Sequence, residues 1–193
     1  MVEGPTTPRF SFGMSASTSN LYLPELNEHC TNCTNIYVPQ RQYFPVKGAR
    51  METFEEQQVI FRKGGLRGIS IRDGCSKNYS GLERRDSRPF EGVDVADSCT
   101  LRIEWPGYPP WNRAFRTRDS TPAKNPVSLS RLATDICKAI EKFIQEMEGG
   151  ICGEDCWRVG RGTTLNVDTL ALVSIERSSY GSWTACIRVT SLD

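Results

Sequence analysis

The sequence has one histidine, His29, among 193 residues, and that shortage removes most of the familiar catalytic arrangements. A histidine triad, or a general base poised near neutral pH, would have to be built on a residue in the Ser/Thr/Pro-rich N-terminal stretch. Also lacking are a G-x-S-x-G elbow, a phosphate-binding G-x-x-x-x-G-K loop, an H-E-x-x-H helix, and a G-x-G-x-x-G opening a helix. The nearest glycine pattern, V-G-R-G-T-T at 159–164, leads into a strand, so no helix N-terminus waits there for a phosphate. The chain has no excess of charge of either sign: 24 Lys and Arg face 23 Asp and Glu, for a net charge of +1. That speaks against the broad basic footprint of a typical nucleic-acid binder. It has no apolar run of about 18 residues, so no membrane-spanning helix is expected. Its first residues lack the basic and apolar regions of a secretory signal. These absences set the first expectations: intracellular, off the membrane, non-enzymatic, with no catalytic residues and no cofactor.

Cysteine is not scarce. Eight are present, at 30, 33, 75, 99, 137, 152, 156 and 186. H-C-T-N-C brings Cys30 near Cys33, and C-G-E-D-C brings Cys152 near Cys156, a pairing compatible with a zinc site of four thiolates. Against that, 118 residues lie between Cys33 and Cys152, and the second spacing is less typical. With no secretory signal, the simpler reading is reduced thiols and no metal, Cys137 and Cys186 serving as small packing residues.

Residues 1–56 are rich in Pro, Ser, Thr and Asn with no sustained apolar period, and read as a low-order segment. Residues 57–193 read as a single α+β domain. Within it, Val59 to Arg62 and Gly68 to Arg72 flank Gly64-Gly65 as a hairpin, and 73–97 reads as a long polar loop. Leu101, Ile103 and Trp105 alternate with polar residues as a half-buried strand. Leu129, Leu132, Ala133, Ile136, Ala139, Ile140, Phe143, Ile144 and Met147 recur at helical steps, with Ser128 as N-cap and Gly149-Gly150 as a stop. L-A-L-V-S-I-E-R and W-T-A-C-I-R-V-T flank S-S-Y-G-S as a second hairpin. The expected fold is a mostly antiparallel sheet, ordered β-β-β-α-β-β along the chain, with one long amphipathic helix packed on one face.

The most unusual composition lies in W-P-G-Y-P-P-W at 105–111, which holds two of the four tryptophans and three of the 11 prolines. Arginine, 18 residues against six lysines, clusters just after it. Tyr108, Trp111, Arg113, Arg116 and Arg118, with Trp157 and Arg158, form the candidate binding set. Arg and aromatic residues together mark protein-interface hot spots, so a protein partner or self-association is the leading expectation. Stacking rings beside Arg are also how single-stranded nucleic acid is held, which keeps nucleic acid as the alternative. The bland reading is that the rings plug the core and the prolines set a stiff path; Trp105, which shares the inward face of Leu101 and Ile103, is expected in the core on either reading.

The order of several short motifs, W-P-G-Y-P-P-W-N-R, R-T-R-D, N-P-V-S-L-S-R-L-A, F-I-Q-E-M, W-R-V-G and L-A-L-V-S-I with a later G-S-W, resembles a group of uncharacterised proteins from mushroom-forming fungi. The resemblance covers about residues 105–188. It implies a fungal, intracellular protein whose motif residues are Trp105, Pro106, Tyr108, Trp111, Arg113, Asp119, Trp157, Arg158, Gly160 and Trp183. It carries no catalytic residues.

Overall fold

The computed structural model describes residues 36–41 and 57–190. His29, Cys30, Cys33 and most of the segment read as low-order lie outside the described residues. The fold is α+β: a mixed sheet, mostly antiparallel, with one long helix.

The longest strands are the last two. β8 (Leu170–Ser179) and β9 (Ser182–Val189) form the C-terminal hairpin. From Leu170 to Ile175 every residue of β8 is buried, as a continuous apolar run requires of a strand covered on both faces. This hairpin sits in the middle of the sheet. On one side β8 pairs with β2 (Gln58–Ile60) and β5 (Ile69–Ser70) laid end to end. On the other, β9 pairs in parallel with β6 (Ser98–Ile103), which pairs antiparallel with the edge strand β7 (Trp111–Arg116). β1 (Ile36–Tyr37) joins the far end of β9.

The first hairpin differs in detail from the sequence reading. Its paired arms are only β3 (Arg62–Lys63) and β4 (Leu66–Arg67), while β2 and β5 bond to β8 instead of to each other. The turn is as expected: Gly64 and Gly65 both take positive φ, +59° and +81°, which a tight two-residue hairpin turn demands. Arg72, read as the end of a strand, falls in the short helix α1 (Ile71–Ser76).

The 73–97 segment, read as a long loop, contributes to the core. Leu82, Phe90 and Val95 are buried in it, and the Phe90 ring meets the edge of Trp183 at 5.5 Å. The same segment closes the start of α2 (Leu129–Met147): Leu129 and Ser130 donate their N–H groups to the Ser87 and Arg85 carbonyls. Ser128 Oγ accepts from the Arg131 N–H as the N-cap. Those bonds use the free donors of the helix start, so that end is not open to an anion. The buried face of α2 runs Leu129, Leu132, Ala133, Ile136, Ala139, Ile140, Phe143 and Ile144, as its period predicts, and adds Thr134 and Cys137 where α1 packs on it. Among the described residues no helix is long and apolar enough to cross a membrane.

Candidate functional site

The proline-rich segment folds over the C-terminal half of α2. Three of its rings surround one phenylalanine of that helix: Trp105, Tyr108 and Trp111 lie 5.5, 6.0 and 5.9 Å from the Phe143 ring. Trp157 stands edge-on to Trp105 at 6.5 Å. The polar tips of Trp105, Tyr108 and Trp111 find partners, as buried Tyr and Trp require. Trp105 Nε1 donates to the Trp157 carbonyl at 2.8 Å, Val159 N–H donates to the Tyr108 hydroxyl at 3.2 Å, and Trp111 Nε1 donates to Glu146 Oε2 at 2.6 Å.

Gly107 makes this docking geometrically feasible. Its φ is +78°, and a Cβ there would stand 2.6 Å from Cys152 Sγ and 2.7 Å from Glu154 N. The Gly107 carbonyl instead accepts from Gly153 N–H at 2.8 Å, tying the 152–157 segment beneath the plug.

The candidate residues therefore divide into two groups. Tyr108 is 7% exposed and belongs to the core, which removes its ring from any contact surface; its hydroxyl is spent on Val159, and burial pushes its pKa up. Trp111 and Trp157 are half-buried and pack against that core. Arg158 is exposed beside them and paired with Asp155 at 2.6 Å. The second group follows the sheet edge. Arg113 and Arg116 are exposed on β7, and Arg118, just beyond it, is half-buried and faces Asp97 at 3.4 Å.

The pairing of β7 was missed in the sequence because Arg113 sits on the same face as Trp111 and Phe115 and breaks the apolar alternation. Its register fixes which backbone groups are used. Thr100 N–H donates to the Gly181 carbonyl on the β9 side, so Cys99, Leu101 and Ile103 turn their peptide groups to β7 and bond Phe115, Arg113 and Trp111. Asn112, Ala114 and Arg116 then direct N–H and C=O outward, and among the described residues nothing pairs with them.

The charges beside this edge are unequal in their engagement. Glu146 is held below the usual glutamate range first by the Trp111 hydrogen bond, then by Lys142, and last by the Arg113 charge. Asp97 is depressed by Lys124 and Arg118, and Asp119 by hydrogen bonds from Thr121 and Asn125. Asp135 pairs with Arg131. Among the described residues neither Arg113 nor Arg116 has a carboxylate within ion-pair distance, though the Arg113 charge acts on Glu146 at longer range. Where β7 ends, Arg116, Arg118 and Arg131 line a shallow groove of about 130 Å³, and it continues past Val127 into an open one of about 410 Å³ bordered by Arg88 and Asp86.

Cys152 is buried and its thiol donates to the Glu154 carbonyl, while Cys156 is exposed. Among the described residues no three potential ligands cluster about a metal position. Burial pushes the Cys75 thiol to about 12 and the Cys186 thiol to about 11, and raises those of Cys99 and Cys137. The thiolate is the reacting species, so at pH 8 Cys75 presents roughly one part in ten thousand of it. Iodoacetamide applied to the native protein at pH 8 is expected to modify Cys156 well before Cys75, Cys99, Cys137 or Cys186. Peptide mapping over a time course checks this, and equal rates at Cys156 and Cys137 would contradict the packing of α1 on α2.

Comparison with family models, with curated proteins and with solved structures finds no match for this chain.

Proposed function

We propose that this chain is a non-enzymatic interaction module, working inside the cell, that binds a protein partner through the arginine-bearing edge β7, with the half-buried Trp111 at its start. One observation carries the reading: Arg113 and Arg116 stand exposed, with no carboxylate of the described residues within ion-pair distance, on a strand backed by the ring cluster. Two exposed guanidiniums on a pre-ordered backbone can meet carboxylates at low ordering cost. The nucleic-acid reading loses ground on the same geometry, because Trp105 and Tyr108 are buried and offer no face to a base. The resemblance to the fungal group adds no chemistry to either reading.

The test is an Arg113→Glu, Arg116→Glu variant of the full chain carrying a photo-crosslinking residue at Asn112. Wild type is expected to crosslink a defined set of proteins in cell extract. The charge-reversed chain, with an unchanged thermal midpoint, is expected to lose at least about tenfold of that signal. A partner set unchanged by the double reversal would overturn the proposal.

A further inference from the structure

The geometry points to the form of the partner: an extended acidic segment that adds to β7 as a further strand. This rests on the interaction-module reading above and names its mechanism. Asn112, Ala114 and Arg116 offer outward N–H and C=O groups with no partner among the described residues, and such an edge is a template for a strand from another chain. The side chains flanking it select what can bind. A strand paired with β7 places one residue beside Arg113 and another, three positions away, beside Arg116. Among the described residues neither guanidinium is within ion-pair distance of a carboxylate; Arg113 acts on Glu146 only at longer range, and Glu146 already accepts from Trp111, while Asp97, Asp119 and Asp135 are engaged elsewhere. A carboxylate at each of those two partner positions meets an exposed positive charge. Beyond Arg116 a groove lined by Arg118 and Arg131, with the engaged Asp119 and Asp135 also in its walls, leads past Val127 toward Arg88.

A second copy of this chain is the wrong occupant. Two β7 edges brought together would gather two Arg113 and two Arg116 on one short ribbon whose own residues include no acid, and like charges across a strand pair repel. Charges on an edge strand deter self-pairing, yet they leave the edge open to a strand of opposite sign.

The test uses the full-length protein and a synthetic peptide, T-V-E-T-V-E-T-V, with two glutamates three positions apart. Binding is read by titration calorimetry. Replacing both glutamates by glutamine, or using the Arg113→Glu, Arg116→Glu protein, is expected to weaken binding about tenfold. Strand addition has a sharper signature. Backbone N-methylation at every second peptide position is expected to weaken binding about tenfold, while methylation at the intervening positions changes it by less than about twofold, because only alternate amides face β7.

On the protein, Ala114→Pro removes one outward donor without touching a bond to β6, and is expected to abolish peptide binding with the fold intact. Should that variant fail to fold, the methylation scan on the wild-type chain decides. Peptide binding that ignores methylation, or an absence of peptide binding, overturns strand addition. The crosslinking result for Arg113→Glu, Arg116→Glu then shows separately whether the interaction-module reading stands. Tighter binding of a single-stranded oligothymidylate than of the peptide overturns both.

Discussion

Replacing Phe143 by alanine is expected to lower the free energy of unfolding by about 3–5 kcal/mol, at the upper end of what one core truncation costs. Phe143 is fully buried, and Trp105, Tyr108 and Trp111 all pack on its ring. The cost of such a cavity depends on how far the surroundings can relax into it. Here they are held. Trp105 is tied to the Trp157 carbonyl and Tyr108 to Val159 N–H, and three prolines restrict the backbone between the rings. Stabilities of natural domains run to about 5–15 kcal/mol, so this one change is expected to leave a marginally folded protein. Urea unfolding followed by circular dichroism and tryptophan fluorescence checks it. A loss below about 1.5 kcal/mol would mean the rings re-close over the gap and the plug is not the rigid support for β7 argued above. Phe143→Leu, which keeps most of the volume, is expected to cost less than half as much.

The same cluster shows where sequence reasoning reaches and where it stops. Trp105 could be placed inside from the sequence, because it continues the alternation of Leu101 and Ile103 and lies 1% exposed. Tyr108 could not. It stands after a Pro-Gly break, where no period governs orientation, and it is inward because Val159, 51 residues later, supplies a donor to its hydroxyl. α2 was legible almost to the residue, since a 3.6-residue period, a Ser cap and a Gly pair agree. Strand existence was legible for the last hairpin, but the order of strands was not. That β8–β9 inserts between the N-terminal strands and β6, making a parallel pair, follows from contacts between distant segments. β7 was hidden for a local reason, the Arg113 that interrupts its apolar face. The candidate site inherits that gap: the clustering of Arg113 and Arg116 could be read directly, but that they flank an open sheet edge depends on a pairing register that no local pattern encodes.

Gly74→Ala is the substitution whose sign local rules get wrong. Gly74 lies inside α1, and in an exposed helix the exchange would stabilise by about 1 kcal/mol. In this fold a Cβ at position 74 would stand 2.3 Å from Cys137 Sγ and 2.7 Å from Cys137 Cβ. A rotamer change could move the sulfur. The Cβ is fixed by the backbone of α2, so the two helices must separate. Separation also stretches the bond from Thr134 Oγ1 to the Gly74 carbonyl, 3.0 Å in this fold, and the contact of Tyr79 with Thr134. Overpacking costs about 1–3 kcal/mol and a weakened buried hydrogen bond about 1 more, which together exceed the propensity gain. The expected net loss is about 1–3 kcal/mol. A double-mutant cycle checks the cause: Cys137→Ala removes the sulfur and leaves the 2.7 Å contact, so it should recover only part of the loss caused by Gly74→Ala. Simple additivity of the two would mean that α1 and α2 do not pack face to face at this point, and full recovery would mean that the sulfur alone sets their spacing.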